Sequence, residues 1–191
     1  TRVLSLEVYQ GVAYVNLSSD FERDYPGGST GEGMALGSII QTLTEQEEIN
    51  VVQFLIEGKK VEVLAKGHMD LSQPLGRSIW LGAVEMHPEE MADRQLRVDN
   101  GKDQWFLEPL KTAKEDGPLY RLYVRGQYEL IERIERGEYS GTGEALVRHS
   151  YKGEKYDIKL IQPEKQGEGG IWAINSIMPY GTEKEAILAV V

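Results

Sequence analysis

The sequence predicts an α+β fold, in which a small sheet with one packed helix is followed by a second domain dominated by an antiparallel meander. Three observations support this prediction. Two alternating segments meet at Gln10-Gly11, an apolar stripe with helical spacing follows them, and strand-like segments separated by glycine turns fill the second half. A chain of 191 residues is long enough for two domains, which we place at residues 1–77 and 78–191.

The first two strands are predicted as a β-hairpin. Val3 to Val8 and Val12 to Leu17 both alternate between two faces, and Gln10-Gly11 lies between them. A glycine next to a polar residue between two alternating runs is typical of a tight hairpin turn.

A helix is predicted after the hairpin. Residues 18–30 are rich in Asp, Pro, Gly and Ser, a loop composition. Beyond this loop, apolar residues recur at spacings of three and four, at Leu36, Ile39, Ile40 and Leu43. We therefore expect a helix with one buried stripe, which begins near Thr30 and has Thr30 or Ser29 as its N-cap.

A second hairpin is predicted after the helix. Val51 to Glu57 and Lys60 to Leu64 are its strands, around Glu57-Gly58-Lys59. The resulting order of strand, strand, helix, strand, strand indicates a helix packed on one face of a small sheet.

The second half is predicted as a short helix followed by a meander. The helix extends from Pro88 to Leu96. Glycine-containing turns separate the strand-like segments LYRLYV, QYELIERIER, GEALVRHSY, KYDIKLI and GIWAINSI, which begin at Leu119. Residues 128–136 fit either a strand or a short helix, and the strand is favoured because the neighbouring segments are strands.

Composition excludes several classes of function. The formal net charge is -10, and no basic cluster is longer than Lys59-Lys60, which argues against a nucleic-acid surface. The absence of cysteine removes disulfides, thiolate nucleophiles and cysteine zinc sites. The apolar runs are far shorter than the roughly 20 residues that span a bilayer.

The sequence predicts no catalytic residues, no cofactor and no metal site. His68 and Asp70 lack a third ligand, His87 stands at a helix opening, and His149 lies in an alternating strand, where we expect it to face solvent. The serines lack a nucleophile-elbow context, and the glycine-rich strings lack the spacing of a phosphate-binding loop.

Four segments in order resemble the later part of the GerMN domain, a family named for sporulation and spore germination proteins of Gram-positive bacteria. They are GVAYVNLSSDF (11–21), MALGSIIQTLTE (34–45), VVQFLIEGKKVEVL (51–64) and GHMDLSQPL (67–75). The resemblance covers about residues 1–77. It begins where the family already has an opening strand and helix, so we expect this chain to be the later part of a longer protein, trimmed ahead of Thr1.

The resemblance implies a non-catalytic extracytoplasmic scaffold or binding module in sporulation, germination or envelope assembly. Family members are typically lipid-anchored or membrane-anchored, so the membrane would be reached only through an anchor absent from this chain. The partner would be a protein or a second copy, with no nucleic acid. We expect the interaction surface to include exposed apolar positions of the helix and the acidic loop before it: Met34, Ile40, Asp20, Glu22, Asp24 and Tyr25.

The alternative is an envelope protein that binds or hydrolyses glycan, with peptidoglycan as its target. Carboxylates near one loop are supplied by Glu7, Asp20, Glu22, Asp24 and Glu32, and the aromatic Tyr25 lies beside three of them. A pair of carboxylates about 5 to 10 Å apart is the acid-base arrangement of glycosidases.

Overall fold

The chain forms two compact units, Thr1–Ser78 and Ile79–Val191. The computed structural model describes residues 1–24, 28–65, 67–135 and 141–181. Each unit has its own sheet and its own hydrophobic core, and the α+β class predicted from the sequence is confirmed.

The first unit opens with the predicted hairpin. Strand β1 (Val3–Tyr9) pairs antiparallel with β2 (Val12–Leu17). Gln10 and Gly11 connect them with φ angles of 48° and 82°. Both angles are left-handed, as in the type I′ turn whose twist matches that of paired strands.

A helical connection carries the chain from β2 to a parallel neighbour. Helices α1 (Asp20–Asp24) and α2 (Ser29–Thr44) precede β3 (Val51–Ile56), which pairs parallel with β2. Two short strands, β4 (Lys59–Lys60) and β5 (Leu75–Gly76), pair antiparallel with the end and the beginning of β3. The strand order is therefore β1-β2-β3-β4, with β5 beside β4 on β3.

Helix α2 buries the predicted stripe. Leu36 and Ile40 belong to the core of the first unit, and Ile39 and Leu43 pack against it. The predicted N-cap is wrong, because the helix begins at Ser29 itself and its cap position is occupied by Gly28 with φ 84°. The sheet contributes alternate residues to the same core: Ala13, Val15 and Leu17 from β2, and Val52, Phe54 and Ile56 from β3.

The second predicted hairpin is shorter than expected. We predicted a strand from Lys60 to Leu64, but β4 ends at Lys60. Its continuation along β3 is taken by β5, which pairs with Val51 and Val52. Leu64 instead turns inward and is buried in the core.

The second unit is an antiparallel sheet whose first strand is followed by helices and then by the other four strands. Its elements are β6 (Gly82–Ala83), α3 (Pro88–Asp99), α4 (Pro109–Asp116), β7 (Gln127–Ile134), β8 (Glu144–Tyr151), β9 (Glu154–Ile161) and β10 (Ala173–Pro179). The sheet order is β6-β10-β9-β8-β7, so the last four strands form the predicted meander. The segment whose sequence fits either a strand or a short helix forms the strand β7.

One predicted strand of the second unit does not form. The segment LYRLYV, residues 119–124, begins inside a 3-10 helix, Gly117–Tyr120. Arg121 then adopts a left-handed conformation with φ 67°, which interrupts an extended run. The apolar residues of this segment still pack inward, since Leu122 belongs to the core that β8, β9 and β10 share.

Candidate interaction surface

Strand β1 is an edge strand with an unusually apolar and exposed surface. Its one neighbour among the described strands is β2. All seven of its residues are exposed. The apolar side chains of β1 are 44 to 64 % accessible: Val3, Leu4, Leu6, Val8 and Tyr9.

Three of these five apolar side chains lie on the face of the sheet that α2 covers elsewhere. In the β1–β2 register, Val3, Leu6 and Val8 stand opposite Leu17, Val15 and Ala13. Residues directly opposite in an antiparallel pair point to the same face. The three β2 residues are buried under the helix and the three β1 residues are not. The side of the sheet that faces the core therefore continues onto β1, which α2 does not cover.

A groove of about 230 Å³ lies between this strand and the helix. Its sheet side is formed by Val3, Leu6, Val15 and Leu17, and its helix side by Ser38, Ile39, Thr42 and Leu43. The two hydroxyls on the helix side are used within α2, since Ser38 Oγ donates to the Ala35 carbonyl at 2.8 Å and Thr42 Oγ1 donates to the Ser38 carbonyl at 2.7 Å. The groove is therefore apolar and uncharged.

The opposite side of the same sheet is built differently. Strand β4 is two residues long, and both residues are exposed lysines, Lys59 and Lys60. Short edges and lysines are devices by which proteins prevent unwanted strand pairing. Strand β1 has neither lysine nor proline, and its protective features are the charge of Glu7 and a register shift between Val3 and Ser5.

Of the two helix residues predicted at an interaction surface, one is exposed. Met34 is 72 % accessible. It precedes Ser38 and Thr42 at spacings of four, so it continues the ridge that forms the helix side of the groove. The expectation that Ile40 is exposed is wrong, because it is 7 % accessible and lies in the core. Its position four residues after Leu36 puts it on the buried stripe.

The predicted acidic residues are engaged in local contacts. Arg23 pairs with Asp20 at 2.6 Å and with Asp24 at 3.0 Å. Glu22 Oε1 accepts a hydrogen bond from the Ala65 backbone at 3.2 Å. Tyr25 lies outside the described residues. The prediction of a loop is wrong here, because residues Asp20–Asp24 form helix α1, and its carboxylates are engaged in these contacts.

Glu32, one of the carboxylates considered for an acid-base pair, holds a loop of the first unit. It is buried, and its Oε2 accepts hydrogen bonds from the backbone N–H groups of His68 and Met69 at 2.7 and 3.1 Å. A methyl group at Gly67 would overlap the Glu32 carboxylate. Gly67, which precedes these two N–H groups, is the sequence signal for a close approach of another group. Nothing in the neighbouring sequence indicates which acidic residue makes that approach.

Of the three histidines, His149 lies in a different environment from the one predicted. His149 is buried, contrary to the expectation that it faces solvent, and its Nε2 lies 3.0 Å from the Tyr123 carbonyl. It follows Ala145 and Val147 at spacings of two, so strand alternation places it on their buried face. No group of three His, Cys, Asp or Glu side chains in the described residues could hold a metal ion.

The second unit has a cleft of about 440 Å³ whose lining includes Arg133, Glu135, Gln162 and Trp172. Trp172 is buried, and the Arg133 guanidinium lies 5.4 Å from its ring centroid. The Gln162 amide is used to hold residues 167 and 170. The cleft therefore offers no open aromatic face on which a sugar ring could stack.

A buried ion pair in this unit is likewise structural. Asp116 Oδ2 accepts a hydrogen bond from Arg94 Nη1 at 2.6 Å, and Arg94 also pairs with Glu90 at 2.7 Å. Burial raises the pKa of Asp116 despite the neighbouring guanidinium. Burial, together with the charge of Asp116, also raises the pKa of Tyr120. Arg94 stacks over Phe106 at 4.8 Å, so these groups tie helices α3 and α4 together.

None of the helices in the described part of the chain is both long and apolar enough to cross a membrane.

Comparison with known proteins confirms the resemblance of the first unit. Residues 1–62 match the family model Germane, described as sporulation and spore germination. The match covers β1 through β4 and ends before the last predicted motif, residues 67–75. No curated protein matches the chain.

Three solved structures are similar to parts of the chain. A predicted lipoprotein from Clostridium perfringens is 32 % identical over 39 % of this chain and 48 % of its own, with a TM-score of 0.35. The first GerMN domain of the sporulation protein GerM from Bacillus subtilis is 23 % identical over 38 % of this chain and 53 % of its own, with a TM-score of 0.34.

The tandem GerMN domains of the same protein are 14 % identical over 97 % of this chain and 43 % of theirs, with a TM-score of 0.36. This chain thus spans about half the length of the structures it matches. At these TM-scores the alignments carry no argument about fold or function, so the assignment of the first unit rests on the family match.

Proposed function

We propose that this chain is a non-enzymatic, extracytoplasmic binding module that acts in sporulation, germination or envelope assembly of a Gram-positive bacterium. The family match over residues 1–62 supports the biological setting. The observation that carries the binding role is the apolar edge of the first sheet, where β1 and α2 leave a groove uncovered.

Energetics favour an interaction at this edge. Burying apolar surface contributes roughly 25 cal/mol per Å², and β1 exposes five large apolar side chains along one strand. Exposed apolar surface of this kind is typical of protein–protein interaction sites. Because the groove has no charged side chain in its lining, its binding partner would also be apolar where the two surfaces meet.

Site-directed photo-crosslinking in the bacterium that produces the protein would test this proposal. The photo-reactive residue replaces Val3 in one variant and Lys60, at the opposite side of the sheet, in a matched control. We expect a crosslinked product of discrete mass from position 3 during sporulation, none from position 60, and a weaker product in a Met34→Glu background.

Equal crosslinking from both positions, or none from either, would contradict a binding role for this edge. A release assay on purified peptidoglycan tests the non-enzymatic part of the proposal separately. Soluble fragments that appear only with the purified chain would show that it is a hydrolase.

A further inference from the structure

We propose that the cleft of the second unit binds a short peptide by its two free ends. The carboxylate of the peptide lies against Arg133 and Trp172, and its ammonium group lies between Glu135 and Glu168, all four of which line the cleft. This site is separate from the apolar edge of the first sheet and goes beyond the proposed function.

A buried donor in the lining of the cleft lacks an acceptor. Trp172 is 1 % exposed and forms part of the lining. Its Nε1–H group has no hydrogen-bond partner among the described groups. A buried polar group without a partner is destabilising, so its presence in a folded protein needs a reason, and a functional role is one such reason. An acceptor atom on a ligand would satisfy this donor.

A β-bulge turns a guanidinium toward the same tryptophan. The register of β7 shifts between Leu130 and Glu132. Beyond the shift, Arg133 stands opposite Ala145, which is buried in the core. Residues directly opposite in an antiparallel pair point to the same face, so Arg133 points to the core side of the sheet. Strict alternation from Leu130 would have placed Glu132 and Ile134 on that side instead.

This placement is unfavourable for packing alone. The bulge leaves Ile134 39 % exposed on the outer face and turns a charged side chain inward. Burial of apolar surface favours the reverse arrangement. Bulges are frequent beside functional sites, where they redirect a side chain. The bulge therefore indicates that the inward direction of Arg133 serves a function.

The guanidinium of Arg133 is available to an anionic group. It lies 5.4 Å from the Trp172 ring centroid, and it forms no ion pair within the part of the chain that the structure describes. Because no carboxylate holds it, the side chain can move off the ring as it meets a ligand and open the indole N–H to the same ligand. A carboxylate suits both groups, since it accepts bidentate hydrogen bonds from a guanidinium.

Two carboxylates of the lining require a positive charge on the ligand. Glu135 follows Arg133 by two residues, and Glu168 lies in the loop that Gln162 holds. Neither glutamate has an ion pair among the described residues. The described lining thus has one positive and two negative side chains, which disfavours a purely anionic ligand. A zwitterion complements both sets of charges.

The size of the cleft favours a short peptide over a single amino acid. Its volume of about 440 Å³ lies in the range of about 300–1,000 Å³ that is typical of small-molecule sites, and one small amino acid would fill only part of it. The loop wall is already fixed by the hydrogen bonds of Gln162 to Gly167 and Gly170. A fixed wall lowers the entropy lost on binding.

Nuclear magnetic resonance with trialanine tests the contact at the buried donor. The peptide is titrated into the ¹⁵N-labelled 191-residue chain, and the indole N–H signals of its three tryptophans are observed. We expect the Trp172 signal to move downfield, because a hydrogen bond deshields the proton, while the signals of Trp80 and Trp105 stay in place. A Trp172→Phe variant assigns the signal.

Calorimetry with end-blocked peptides tests the two charges. Trialanine amide lacks the carboxylate, and N-acetyl-trialanine lacks the ammonium group, so we expect each to bind about ten-fold more weakly than trialanine. Arg133→Gln should weaken trialanine to the same degree and leave the amide unchanged. Glu168→Gln should weaken trialanine and leave the acetylated peptide unchanged. Glu132→Gln, on the outer face of the same strand, is the matched control and should alter no affinity.

A Trp172 signal that does not move with trialanine at millimolar concentration, or equal binding of the three peptides, would overturn the inference. So would a folded Arg133→Gln variant that binds trialanine as tightly as the unchanged chain. Free alanine that binds as tightly as trialanine would overturn the assignment to a peptide. None of these results alters the crosslinked product expected from position 3, so the proposed function is tested separately.

Discussion

Each unit fixes a loop with one buried polar side chain, but the two units use different chemistry. In the second unit, Gln162 Nε2 donates to the carbonyls of Gly167 and Gly170 at 2.9 and 3.0 Å, and its Oε1 accepts from the Gly167 N–H at 2.9 Å. In the first unit, Glu32 Oε2 accepts two backbone bonds, while its buried Oε1 has no partner among the described groups.

The difference follows from what each side chain can offer. An amide both donates and accepts, whereas an ionised carboxylate only accepts. Gln162 can therefore close a loop that presents both carbonyls and N–H groups, and Glu32 can hold only N–H groups. A buried polar atom without a partner costs about 1–3 kcal/mol. The second unit thus has the better satisfied anchor.

The largest loss of stability is expected at Gly170, where an added methyl group would meet backbone and not a flexible side chain. A methyl group at Gly170 would overlap the Lys165 carbonyl, which is backbone and cannot rotate away. We expect Gly170→Ala to lower the free energy of unfolding of the second unit by about 3 kcal/mol. Denaturant unfolding monitored by the fluorescence of the buried Trp172 would measure this change.

Gly167→Ala is the control for that experiment. A methyl group there meets nothing, so only the left-handed backbone with φ 72° is strained, at about 1 kcal/mol. Similar losses in the two variants would mean that the Lys165 carbonyl can shift and that this loop is no more rigid than the loop of the first unit.

A smaller effect is expected at the anchor of the first unit. Gly67→Ala would press a methyl group against the Glu32 carboxylate, which can partly rotate, so we expect a loss of about 1–2 kcal/mol. In a Glu32→Ala background the same substitution should cost much less. Chemical denaturation of the four chains of this double-mutant cycle measures the coupling.

Gly33→Ala, on the same helix as Glu32, is the matched control. Nothing lies within 4 Å of the added methyl group, and alanine within a helix is more stable than glycine by roughly 0.5–1 kcal/mol. A Gly67→Ala loss that persists undiminished without the Glu32 side chain would show that the glycine is needed for some other reason.

The smallest expected effect concerns pH. A hydrogen bond from Ser72 lowers the pKa of the exposed Asp70, in the loop that Glu32 holds. A lowered folded-state pKa adds stability above the unfolded value of about 4, and that stability is lost as pH falls through the folded value. Asp70→Asn should therefore flatten the dependence of unfolding free energy on pH in this acidic range.

Urea unfolding at a series of pH values checks this expectation. Glu48→Gln, which removes another exposed carboxylate of the first unit, is the control. An unchanged slope in Asp70→Asn would mean that the Ser72 hydrogen bond does not lower the pKa of Asp70 in the folded chain.

The candidate surface was only partly predictable. Met34 is exposed as expected, but its role stays a prediction. Ile40 follows Leu36 by one helical turn and could have been placed on the buried stripe from that spacing. The edge of β1 was missed because its alternation fits a covered strand as well as an open one. The clearest sequence signal was the absence of lysine and proline from that strand.

The sequence by itself determined the elements that depend on local geometry. Tight turns at Gln10-Gly11 and Glu57-Gly58, the apolar stripe of α2 and the meander of the second unit follow from periodicity and turn chemistry, which act over a few residues. The N-cap position at Gly28 was missed because no side chain caps the helix.

Only the tertiary structure decided which surfaces are covered. The parallel pairing of β2 with β3 places α2 over those two strands and leaves β1 beside it exposed. The burial of His149 and Glu32 depends on segments 26 and 36 residues away along the chain. Such contacts are set by how distant elements stack, and no local pattern within a strand or helix encodes its neighbours.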